Sequence, residues 1–97
     1  MDLRFASNQL RRNYLDLSEA TLDWSLPVAR KYIRVLTVLA SAKDPRDVAT
    51  VRNLRLHPLR GSRAGEWAVD LHGRWRLCFV LDGNGIRVTE VTNHYGD

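Results

Sequence analysis

A single cysteine, Cys78, stands in 97 residues, so no intrachain disulfide can form and a disulfide scaffold is excluded. Proline (3) and glycine (6) are too few for a collagen-like fibre or a low-complexity tail. Long apolar runs are missing as well. Arg or Lys interrupts every hydrophobic stretch within a few residues, and no segment reads as a membrane span. Residues 1–5, Met-Asp-Leu-Arg-Phe, lack the basic-then-apolar pattern of a secretory signal. No internal repeat and no linker divides the chain. The expectation is one domain over residues 1–97, in the reducing cytoplasm and away from membranes.

Hydrophobic residues make up 44% and charged residues 27%, the balance of a soluble globular protein. Lys plus Arg number 15 against 11 acids, for a net charge of +4 and an isoelectric point near 9.8. All the cations but Lys31 and Lys43 are arginines. A planar guanidinium suits phosphate, so this bias points toward nucleic acid, although a GC-rich genome yields the same composition. The excess is concentrated between Arg52 and Arg76, where only Glu66 and Asp70 oppose it.

Residues 2–6 read as a short strand, and Ser7 or Asn8 as the cap of a brief helix reaching about Leu17, with Leu10, Tyr14 and Leu17 on one side. Residues 16–24 read as a connection. The clearest helix spans about Leu26 to Lys43, with Ser25 as N-cap and Pro27 in its first turn. Ala29, Tyr32, Ile33, Leu36 and Ala40 form its apolar stripe, widened by Val28, Val35 and Leu39. Arg30, Arg34, Thr37 and Ser41 face solvent, and Asp44-Pro45 ends the run. A further turn of helix fits Asp47–Val51.

The second half alternates as β-structure. Trp67, Val69 and Leu71 form one parity, and Trp75, Leu77, Phe79 and Leu81 another. Ile86 and Val88 open a third strand after the turn Asp82-Gly83-Asn84-Gly85. A three-residue turn with Gly73 left-handed pairs Leu71 with Trp75, Val69 with Leu77 and Trp67 with Phe79. It gathers the large apolar side chains on one face and sets Arg76 opposite Asp70 on the other. Val91 breaks the parity of Ile86 and Val88, which a β-bulge near Thr89–Glu90 repairs. Beyond such a bulge, His94 turns to the face of Arg76.

No metal or cofactor signature is present. His57, His72 and His94 are too scattered for a helical ligand pair, and the G-x-G at 83–85 lacks the helix that a dinucleotide needs. His57, Arg60, Arg76 and the segment Asn93-His94-Tyr95 remain. Phosphodiester cleavage without a metal needs a base, an acid and cations around the phosphorus, and two histidines with two arginines can supply them. Solvated surface residues are the plainer reading of the same spacing.

Three segments carry a family resemblance: Leu59-Arg-Gly-Ser-Arg-Ala-Gly-Glu-Trp-Ala-Val, then Gly73-Arg-Trp-Arg-Leu-Cys-Phe-Val, then Val91-Thr-Asn-His-Tyr. In order and spacing they resemble the HigB toxins of the RelE/ParE superfamily in bacterial type II toxin–antitoxin systems. The resemblance implies an α+β, RelE-like (microbial RNase-like) domain, with two helices packed on a small, mostly antiparallel sheet. It implies a ribosome-dependent mRNA endonuclease acting in the ribosomal A site. It also implies neutralisation by a helix-turn-helix, HigA-like antitoxin, through which alone operator DNA is contacted.

Residue by residue, His57 and Arg60 match the family's His-x-x-Lys segment, with Arg in place of Lys. Arg76 matches the arginine that steadies the scissile phosphate. Arg63, Arg74 and Asn93 are the RNA contacts that the resemblance implies. Many relatives end Asp-Tyr-His, whereas this chain has Thr92-Asn93-His94-Tyr95, so His94 and Tyr95 are both candidates for the acid. A ParE-like gyrase poison and a non-catalytic RNA- or antitoxin-binding relative are the alternatives. The ParE branch lacks the catalytic histidines.

Overall fold

A computed structural model of the chain describes residues 1–43, 47 and 54–94. Strand β1 (Asp2–Phe5) leads into helices α1 (Asn8–Leu15), α2 (Leu17–Asp23) and α3 (Leu26–Ser41). Strands β2 (His57–Pro58), β3 (Glu66–Asp70), β4 (Arg76–Asp82) and β5 (Gly85–Thr92) follow, with a 3₁₀ turn at Gly61–Arg63 between β2 and β3. The five strands form one sheet in the order β1-β5-β4-β3-β2. Among the described residues, only the β1–β5 pair is parallel.

Among the described residues, residues 8–41 form three helices where the sequence suggests two. Residues 16–24 are not a connection: the Asp16 carboxylate accepts from the Ser18 and Glu19 N–H groups and starts α2. Leu17 therefore begins α2 instead of extending the Leu10 and Tyr14 side of α1. A polar cluster locks the two short helices together. The fully buried Asn13 accepts from Gln9 at 2.8 Å and donates to Asp23 at 2.8 Å. Tyr32 of α3 donates to the Leu10 carbonyl at 2.7 Å, and burial pushes its phenol well above the ordinary range.

Ser25 caps α3 as its residue type suggests, accepting from the Val28 N–H. The helix stops at Ser41, two residues before Lys43, because Ala42 takes up an extended backbone. The Met1 amino group donates to the carbonyls of Ala40 and Ala42 at 2.7 and 2.6 Å and satisfies that end. Asp44, Pro45 and, apart from Asp47, the expected turn at 47–51 lie outside the described residues. Among those described, no helix is long and apolar enough to cross a membrane.

The β3–β4 hairpin has the register that its apolar parity requires. Val69 faces Leu77 and Trp67 faces Phe79, and the Leu71 N–H donates to the Trp75 carbonyl across the three-residue turn. Gly73 holds φ at +60°, a region that a Cβ disfavours. The next turn is two residues long, with Gly83 first at φ +63°, which matches type II′. The ladder slips by one residue between Cys78 and Phe79: Phe79 pairs with Val88, but Cys78 pairs with Glu90. Thr89 is the extra residue of the bulge, and Val91 thereby returns to the apolar face.

That inner face carries Val69, Leu77, Phe79, Ile86 and Val88 against Val28, Tyr32, Val35, Leu36 and Leu39 of α3. The exposed face of α3 is Arg30, Arg34, Thr37 and Ser41, as its period indicates. Helices pack on the inner face, and on the opposite face Ala68, Arg76 and Cys78 are themselves buried.

Candidate functional site

Residues that pair directly across a ladder share a face, so the register assigns the outer surface row by row. One row is Asp70, Arg76 and Thr92. The next is His57, Ala68, Cys78 and Glu90. A third is Glu66, Val80 and Arg87. His57 and Arg76 therefore lie on one face, two strands and one row apart. That separation is roughly 12 Å between Cα atoms from ordinary strand spacing, within the joint reach of an imidazole and a guanidinium around one phosphate.

Arg76 is only 8% exposed. The sequence reading places it on a polar sheet face, and the structure adds that this face is largely covered there. Beyond Thr92 the chain leaves the ladder, and the Thr92 hydroxyl accepts from the His94 N–H at 3.1 Å. Asn93 and His94 are exposed just past the sheet end that also carries Arg74, which is exposed in the hairpin turn. Arg74, Arg76, Asn93 and His94 thus gather at one end of the sheet, with His57 one row in. Tyr95 lies outside the described residues.

Two expected residues sit elsewhere. After His57 the chain runs toward the Glu66 end of β3, where the Leu59 N–H donates to the Glu66 carbonyl, so Arg60 is carried away from Arg76 and ends exposed. Arg63 is occupied within the protein. Its guanidinium donates twice to Glu66, at 2.8 Å from both Nε and Nη2, and Nη1 stands 2.6 Å from Glu90. Glu66 also accepts from the Thr89 hydroxyl at 2.8 Å. The Arg63 hydrogen bonds, opposed by burial, hold the Glu66 carboxyl below its ordinary range. Burial raises the Cys78 thiol, and the nearby Arg63 charge pulls it back.

Four residues that the sequence reading passed over shape this surface. They are Thr92, Glu66, Glu90 and Arg55, whose carbonyl lies 3.0 Å from Nδ1 of His57. Among the described residues, no three His, Cys, Asp or Glu side chains gather into a metal site.

A mixed five-stranded sheet, with a parallel first strand and helices on one face, is the fold of the RelE-like toxins. Solved structures of that class superpose on the chain. YoeB in its complex with YefM from Staphylococcus aureus matches with a TM-score of 0.66 at 18% identity, over 98% of each chain. YafQ from E. coli strain BL21(DE3) matches with a TM-score of 0.64 at 20% identity, over 93% of this chain and 89% of that one. A YoeB/ParE toxin from Agrobacterium tumefaciens matches with a TM-score of 0.58 at 17% identity, over 98% and 100%. No protein-family model and no curated protein matches the chain. At these identities the likeness is one of fold.

Proposed function

We propose that the chain is the toxin of a type II toxin–antitoxin pair of the HigB kind, an mRNA endonuclease that acts in the ribosomal A site and arrests translation in the cytoplasm. The observation that carries this reading is the placement of His57 and Arg76 on one outer sheet face, with Asn93 and His94 just past it. The fold supports it. YoeB and YafQ share the architecture, and each has been solved in a toxin–antitoxin complex, with YefM and DinJ.

The chemistry proposed is displacement at phosphorus. A ribose 2′-hydroxyl loses its proton to His57 as its oxygen bonds to phosphorus. Arg76 balances the charge that grows on the phosphoryl oxygens, and the P–O5′ bond breaks as an acid, His94 or Tyr95, protonates the departing oxygen. No metal enters this scheme. Arg60, Arg74 and Asn93 are proposed to follow the RNA backbone. Arg63 contributes by holding the surface together, since its guanidinium is taken by two carboxylates. The partner proposed is a HigA-like helix-turn-helix antitoxin, with operator DNA reached only through it.

The test is induction of the chain in a bacterium, with primer extension on translated messages. New 5′ ends within messages are expected, and Arg76→Ala should reduce them on the order of 10²-fold while remaining folded. Growth arrest without message cleavage would overturn the nuclease reading. Inhibition of DNA supercoiling in its place would favour a ParE-like action, a name that the Agrobacterium neighbour also carries.

A further inference from the structure

We infer that Arg55 is a positioning residue whose main-chain carbonyl fixes the tautomer of His57 and leaves Nε2 as its proton-accepting atom. The geometry is simple. Nδ1 of His57 lies 3.0 Å from the Arg55 oxygen. A carbonyl carries no proton, so the bond exists only when Nδ1 is the donor. In the neutral ring the lone pair then belongs to Nε2. An imidazole free in water prefers the opposite, Nε2–H, form, so the protein has to select this one.

Two anchors hold the ring. The backbone of His57 is set by its pairing with Ala68 in β2, and Nδ1 is set by the carbonyl two residues earlier. That carbonyl belongs to the only non-glycine among the described residues with a positive φ, +50°. The left-handed region is disfavoured for a residue with a Cβ, and such strain gathers where a site over-determines the backbone. Arg55 carries the strain, and its oxygen holds the ring on the face of Arg76.

The consequence for the proposed reaction, on which the mechanistic half of this inference rests, is atom-specific. Nε2 takes the 2′-hydroxyl proton while Nδ1–H stays bonded to the carbonyl. The ring becomes a cation that keeps Nδ1–H on the carbonyl. The ribose oxygen bonds to phosphorus, the P–O5′ bond breaks, and the acid at the other side returns a proton to O5′, so the protons balance.

The experiment is ¹⁵N–¹H long-range NMR of the histidine rings in the free full chain, at a pH where they are neutral, with His57→Gln assigning the signal. A protonated, pyrrole-type Nδ1 and an unprotonated Nε2 are expected at His57. A predominantly Nε2–H ring in the wild-type chain overturns the inference outright. Arg55→Gly accepts a positive φ and should keep the signature. Arg55→Pro, locked near −65°, should lose it and show a lower kcat for message cleavage than Arg55→Gly. Should Arg55→Pro fail to fold, the wild-type spectrum decides alone. An Nδ1–H ring in a chain that never cleaves message sinks the nuclease reading and leaves the tautomer assignment standing.

Discussion

Arg63 and Glu90 stand 2.6 Å apart above β4, while the other edge of the same guanidinium grips Glu66, so one side chain from a loop ties β3 to β5. The bridge spans the strand that holds the fully buried Cys78. Removing it leaves two carboxylates facing each other across that strand. Arg63→Ala is expected to cost about 1–2 kcal/mol, less than a buried pair because Glu90 is partly exposed. Urea unfolding should show a lower midpoint at unchanged slope. Cys78 should also react faster with a thiol reagent under native conditions; an unchanged rate would show that Arg63 does not shield it.

Acid should weaken the same bridge. The folded Glu66 carboxyl lies below its ordinary value, so its contribution is complete above about pH 4.3, where an unfolded glutamate ionises. It is lost as pH falls from there through the lower folded value. Glu66→Gln should therefore flatten the stability curve below about pH 4.3 relative to wild type. Parallel curves would place the acid-labile group elsewhere.

At Gly85 strand β5 passes close against β1. A Cβ there would meet the Asp2 carbonyl oxygen at 2.5 Å, which is backbone and cannot swing aside. Gly85→Ala should destabilise the chain by about 1–3 kcal/mol, the range of an overpacked core. Amide exchange should locate the loss in β1, which pairs with β5 through this position.

For the proposed nuclease, His94→Ala should slow single-turnover cleavage on programmed ribosomes by about 10²-fold or more, with Tyr95→Phe affected less, since an imidazole donates a proton at neutral pH more readily than a phenol. A near-normal His94→Ala beside a crippled Tyr95→Phe would reverse the two roles.

The β3–β4 register was legible because only a three-residue turn brings Trp67, Val69 and Leu71 onto the face of Phe79, Leu77 and Trp75. The Thr89 bulge was legible from the parity break at Val91. Helix α2 was not, since it buries only Ala20 while Leu22 is exposed, so no apolar stripe forms. Its one readable signal was Asp16 three residues before Glu19, a capping pattern. Strand β2 is two residues long and contains Pro58, too short for any alternation to show. At the candidate site, the shared face of His57 and Arg76 follows from pairings through β3 that local patterning does not contain. The pairing of Arg63 with Glu90 joins residues that only the folded sheet brings together, so it was not legible locally.

Strand β1 is the earliest element of the chain and the last that can take its place. Asp2 pairs with Gly85 and Phe5 with Val88, and such distant parallel partners close slowly because the intervening loop must first be drawn together. During synthesis residues 2–5 emerge long before residues 85–88 exist. The Thr92 end of the outer row also waits for β5. Completion of the sheet and of the surface that bears His57 and Arg76 is thus a single late event, and a chain interrupted before residue 85 should be inert as well as unfolded.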